Sequence, residues 1–192
     1  MLPLGLDFNF DGHAQKGVRR PGEAAAERDG LTRIAGDRHA YQIASADQRK
    51  AYPLSAIVLD AGGRVKAFHK QDGCSLLRFE IAYGKAFASL SLNRSSRQVL
   101  QKAKEKPAFM QSLGELSDGP LFMEAGGQLI RDETGEIVGA LGVTGDVNEV
   151  DDLCAIDGIR AADFLADDDF DAAAVKRLNI KKDPPLRDPR KD

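Results

Sequence analysis

The sequence predicts an α+β domain, a mainly antiparallel five-stranded sheet flanked by helices. Three observations predict it. Pro53 to Asp72 (PLSAIVLDAGGRVKAFHKQD) reads as strand, glycine turn and strand. A second pair of β-rich runs, Gly127 to Arg131 and Ile137 to Thr144, flanks a four-residue turn ending in Gly135. Segments with helical spacing lie before, between and after these hairpins. Hairpins joined through helices place the strands in one antiparallel sheet with helices layered against it.

The elements follow in chain order. Residues 1–36 carry scattered Gly, Pro and Arg with no steady period, so they are expected to form a disordered or loosely packed leader. Asp37 to Tyr52 reads as a helix: Asp37 is an N-cap residue type, Ala40, Ile43, Ala44 and Ala51 recur at helical spacing, and Pro53 stops it. Ser55 to Asp60 is an apolar, β-forming run. Asp60-Ala61-Gly62-Gly63 supplies residues that tolerate positive φ in a tight hairpin.

Ser75 to Leu92 is expected to be a helix packed on the sheet, with a broad stripe that includes Leu77, Ile81, Ala82, Ala86 and Leu90. Gly84 in its middle suggests close helix-to-sheet contact. Ser95 or Ser96 caps a short helix through Lys104, and Pro107 to Leu116 forms another with proline at its first position. Leu121 to Glu124 reads as a short third strand before the second hairpin. Asn148 to Leu165 reads as the last helix. Residues 37–166 thus form the domain, and 167–192 a charged C-terminal tail holding one helical turn near Ala172 to Leu178.

Composition narrows the function. The chain has 192 residues, is 42% hydrophobic and carries a formal charge of −3, which gives no general electrostatic case for nucleic acid or an anionic membrane. No apolar run approaches the ~20 residues of a membrane span, and the opening MLPLGLDFNFDGH lacks a basic region and a sustained apolar stretch. A cytoplasmic protein without a signal peptide is expected. The two cysteines, Cys74 and Cys154, read as reduced thiols, and no zinc-type spacing is present.

Candidate chemistry is sparse. Gly139, Gly142 and Gly145 match a dinucleotide fingerprint in spacing, but two of them lie inside a strand, so backbone packing is the expectation. Gly145-Asp146 opens the last helix, where free N–H groups suit a carboxylate; capping by Asp146 or Asn148 is the plainer alternative. His69, beside Lys70, Asp72 and Cys74, is a candidate metal ligand or proton carrier, and so is His39. A surface histidine is the competing reading of both. Lys85 interrupts an apolar helix: it either points into a pocket toward an acidic ligand, with Arg94 and Arg97 adding charge at its mouth, or reaches out to water. Glu149, Asp151 and Asp152 in the first turn of the last helix complement its dipole, or form a weak divalent-ion site. Cys154 falls on the apolar face and reads as core.

Taken together, LSAIVLDAGGRVKAFHKQDG, IAYGKAFASL, GGQLIRDETGEIVGALGVTGD and DDLCAIDGI resemble the GlcG/HbpS-like haem-binding family, which also supplies the C-terminal domain of PduO-type corrinoid adenosyltransferases. The resemblance covers about residues 40 to 165. It implies a profilin-like layered fold, symmetric homo-oligomers, and binding of haem, a corrinoid or another small ligand. The matching positions are Asp60, Gly62 and Gly63 in the first turn, Phe68, Lys70, Asp72 and Gly73 in the next block, Lys85 in the helix, and Gly126, Gly127, Gly142, Gly145 and Asp146 in the last hairpin. Some members bind haem through a histidine near the N-terminus, where His39 stands here. The leading expectation is therefore a small-ligand-binding domain. Phe68, Lys70, Asp72, Lys85, Gly145 and Asp146 would line its site, with His69 or His39 as axial ligand of a haem. An enzyme acting on a small organic acid or aromatic catabolite through His69, Asp72 and Lys85 is the rival; a structural accessory subunit is the third reading.

Overall fold

In the computed structural model, residues 52–186 and 189 are described. The helix expected from Asp37 lies outside these residues up to position 51, and so does the leader; Tyr52 and Pro53 are irregular. Four strands form one sheet: β1 (Ser55–Asp60), β2 (Val65–Lys70), β3 (Gly127–Arg131) and β4 (Ile137–Thr144). Their order is β2-β1-β4-β3 and every pairing is antiparallel. The α+β class holds, with four strands among the described residues rather than five. Leu121 to Glu124 is not a strand: it runs beside the first helix, where the Phe122 N–H reaches the Gly84 carbonyl at 3.3 Å.

Each hairpin is tied by an aspartate. Asp60 Oδ1 accepts the N–H groups of Gly62 (2.9 Å) and Arg64 (3.0 Å), while Gly63 takes φ +76°. Asp132 Oδ1 does the same for Thr134 and Glu136, both at 2.9 Å, and Gly135 takes φ +88°. These side-chain bonds mimic a backbone turn, which explains why both turns begin with Asp.

Helix α1 (Arg78–Leu92) crosses one face of the sheet. The close approach expected from Gly84 is real but comes from the other partner. A methyl group at Gly142 would strike the Ala82 carbonyl, and one at Gly127 would strike that of Lys85. Gly84 instead makes room for Phe122, whose Cβ would stand 2.6 Å from a methyl there. The α1 face buries Ile57, Leu59, Ala82, Ala86 and Ala140. Helices α2 (Ser96–Glu105, capped by Ser95) and α3 (Pro107–Leu116) follow, as the spacing predicts.

Helix α4 (Asn148–Ala161) covers the opposite face, packing Val150, Cys154, Ile156 and Ile159 on Val58, Ile130, Leu141 and Val143. It ends four residues early because Asp163 turns to φ +64° and Leu165 then pairs with Arg131 as an isolated bridge. That bridge covers the outer edge of β3. Residues beyond 166 also pack on the domain. Arg131 Nε donates to Asp167 Oδ1 at 2.6 Å, Phe170 and Ile180 are buried, and Leu186 joins the core under α4. Helix α5 (Ala172–Leu178) matches the expected turn.

Candidate functional site

Strand alternation places the candidate residues. Lys70, Ser55 and Thr144 are register partners across β2, β1 and β4, so their side chains form one row on the α1 face at the end of the sheet. Phe68 lies two residues from Lys70 on the same face, and its ring meets Phe79 of α1 edge-on with centroids 4.9 Å apart. The ladder continues through Tyr83 and Phe87. Phe68 and Phe79 are both partly exposed, and Leu76 and Leu77 at the start of α1 are strongly so.

Two residues complete this end of the sheet. Arg78, the first residue of α1, donates from Nη1 to Thr144 Oγ1 at 2.8 Å and from Nη2 to the Gly145 carbonyl at 3.4 Å. The buried Ser55 hydroxyl donates to Cys74 Sγ at 3.3 Å. Neither Cys74 nor Cys154 is in a disulfide. Asp72 is exposed in the loop after β2. Ser55, Arg78 and Thr144 escape sequence reading because a strand-end Ser or Thr and a helix-start Arg are ordinary residues; only the register brings them together.

The Gly145-Asp146 corner differs from expectation. The Asp146 N–H is already taken by Asp151 Oδ1 at 3.1 Å, and Asp146 Oδ1 accepts the Val147 N–H at 2.7 Å. The two N–H groups that lead into the helix are thus taken by carboxylates of this same segment, one reaching back from inside the first turn. Gly145 is required by proximity: a Cβ there would lie 2.5 Å from the Pro53 carbonyl.

Lys85 neither opens onto a pocket nor reaches water. Its side chain is 3% exposed, and Nζ donates to Asp151 Oδ2 at 2.7 Å and to the Val143 carbonyl at 3.1 Å. Beside it, Asp152 Oδ2 accepts from Arg97 Nε at 2.9 Å, and Oδ1 accepts from Gly126 N–H and Gln128 Nε2. The acidic cluster of α4 is therefore a pair of buried locks, tying α4 to α1 through Lys85 and to α2 through Arg97. Burial pushes the Asp151 carboxyl up to about 6, against the opposing pull of Lys85. Glu149 stays exposed, and no group of three or more metal-ligating side chains occurs among the described residues.

The acid-base trio does not converge. His69 leaves β2 on the face opposite Phe68 and Lys70, away from α1, and is exposed; Asp72 is in a loop; Lys85 is closed by Asp151. His39 lies outside the described residues. Cavities of about 290 and 230 Å³ lie along α2, lined by residues such as Arg94, Gln101 and Lys104, and contain none of the expected ligand residues. Arg94 and Arg97 thus sit at these surfaces and not at a mouth for Lys85. No helix among the described residues is long and apolar enough to cross a membrane.

Comparison with known structures agrees with the fold. The crystal structure of HbpS superposes with a TM-score of 0.59 at 24% identity, covering 81% of this chain and 98% of that one. The PduOC:heme complex gives 0.58 at 22%, covering 72% and 93%. Klebsiella pneumoniae protein ORFY gives 0.59 at 18%, covering 71% and 89%. No curated protein sequence matches. The family model described as haem degrading protein HbpS-like matches residues 38–160. The chain belongs to the HbpS-like family.

Proposed function

We propose that this chain is a haem-binding domain whose ligand lies against the Phe68–Phe79 face, with Lys70 at its charged rim. One observation carries this reading: a partly exposed aromatic pair shares a sheet face with a cation at the end of β2. A flat amphiphile with carboxylates needs an apolar surface for its body and cations at one edge. The family description and a neighbour solved as a heme complex support the same ligand class. Haem supplies an iron that takes an axial ligand. His69 faces away from this surface, so His39, within the matched segment, is the axial candidate retained. The exposed Leu76 and Leu77 support contact with a second copy of the chain beside the ligand, which light scattering measures.

Haem titration tests the proposal. Wild-type protein should give a saturable Soret shift. His39→Ala should change that band, and His69→Ala should leave it unaltered. A linear, unsaturated response overturns the haem assignment. Saturation by cobalamin in place of haem would move the ligand to the corrinoids on the same surface.

A further inference from the structure

We propose that Arg78, working with Lys70, anchors a carboxylate of the bound ligand. The inference deepens the haem-binding reading and rests on it for the ligand's identity. Three observations carry it. Arg78 makes no ion pair with any carboxylate among the described residues: its contacts are a hydroxyl and a carbonyl. Its Nε is hidden from water and has no hydrogen-bond partner. Finally, Lys70 shares a row with Ser55 and Thr144, and Thr144 is the residue Arg78 holds, so two cations stand at the same end of one sheet face.

A buried guanidinium N–H without an acceptor is costly, about 1–3 kcal/mol or more for a charged group. Arg78 also differs from the other buried or half-buried arginines. Arg97 meets Asp152, Arg131 meets Asp167 and Arg94 meets the Leu92 carbonyl, each through Nε. In Arg78 Nε is the nitrogen left without an acceptor, while Nη1 and Nη2 donate to Thr144 and Gly145. Nε and Nη2 together form the fork that takes a carboxylate with two parallel hydrogen bonds, and a ligand that reaches it displaces what covers Nε. The neighbouring acids do not fill it: Asp72 is exposed in its loop, and Asp146 Oδ1 is engaged by Val147. The anchor precedes Phe79 in α1 and lies on the same sheet face as Phe68, so the carboxylates of a flat ligand on that face would lead toward it. It also takes over the role expected of Lys85, which Asp151 occupies.

The experiment compares haem with haem dimethyl ester, whose propionates carry no charge, on wild type and Arg78→Gln. Wild type should bind haem about ten- to hundredfold more tightly than the diester, the worth of a charge-assisted pair. Arg78→Gln should lose that preference while binding the diester as wild type does. Equal binding of haem and diester by wild type overturns the anchor and leaves the haem reading standing. So does equal weakening of both in the variant, the mark of a merely structural arginine. If Arg78→Gln does not fold, the wild-type comparison decides alone. If wild type binds neither tetrapyrrole, the haem reading fails, and thermal shift with succinate at matched ionic strength judges the anchor. Stabilisation of wild type but not of a folded Arg78→Lys, which keeps charge but not the fork, sustains it; no stabilisation of wild type overturns it.

Discussion

Lys85→Met isolates the buried lock between α1 and α4. The substitution keeps the side-chain volume and removes the amine that lies 2.7 Å from Asp151 and 3.1 Å from the Val143 carbonyl. Asp151, 1% exposed, is left without its cation. Breaking a buried pair from one side costs about 3–5 kcal/mol. At about 2–4 °C per kcal/mol for a chain of this size, the melting temperature should fall by roughly 6–20 °C. Urea unfolding at pH 7.5 gives the free energy, with an unchanged m-value confirming that the fold is retained. The loss should depend on pH. Lys85 is the main influence lowering the Asp151 carboxyl, which even so stands at about 6; without Lys85 it rises further. A carboxyl raised in the folded state binds protons that the unfolded state has released. Stability is therefore lost as pH climbs from the unfolded value toward the folded one. The deficit of Lys85→Met should be small at pH 5 and largest above pH 7. Adding Asp151→Leu should recover most of it. A cost under about 1 kcal/mol, or one equal at pH 5 and 8, would refute a buried, closed pair.

Other outcomes follow from the same contacts. In wild type, the Asp151 shift from 3.8 to about 6 means that the folded state holds the extra proton in that window, so stability should fall as pH rises from about 4 to 6. Burial raises Asp167, Asp168 and Asp183 in the same direction, and Asp151→Asn should make the measured slope shallower without abolishing it. Gly142→Ala pushes a methyl into the Ala82 carbonyl, a backbone group that cannot swing aside. It should destabilise by at least about 1–3 kcal/mol in thermal unfolding, whereas Gly114→Ala, with open space around it in α3, should not destabilise.

The framework of this fold was legible because its signals are local. Asp60 and Asp132 each begin a turn whose next residues need side-chain acceptors and a glycine at positive φ, and those turns lie where the pattern put them. Pro107 and Ser95 likewise marked helix starts through their own chemistry. What escaped depends on contacts distant in sequence. Gly84 and Gly142 look alike in a string of letters; only the crossing of α1 over β4 shows which one bears the close approach. Lys85 finds its acid 66 positions away, so an isolated cation on an apolar face could be read as a ligand contact or as a surface residue, and is neither. The tail after 167 carried too little periodicity to reveal that Phe170 and Ile180 pack inward. The proposed site is half visible in the sequence. Phe68 and Lys70 stood in a recognisable block, while Arg78 entered only through its bonds to Thr144 and Gly145.

The central claim is that the Phe68–Phe79 face receives the ligand, and tryptic protection of that face alone would be indirect. The direct measurement is a haem titration of wild type beside Phe68→Ala and Phe79→Ala, followed at the Soret band with folding checked by circular dichroism. The account predicts one saturable site in wild type and affinity reduced about tenfold or more in each folded variant. Undiminished haem affinity in both folded variants would contradict it.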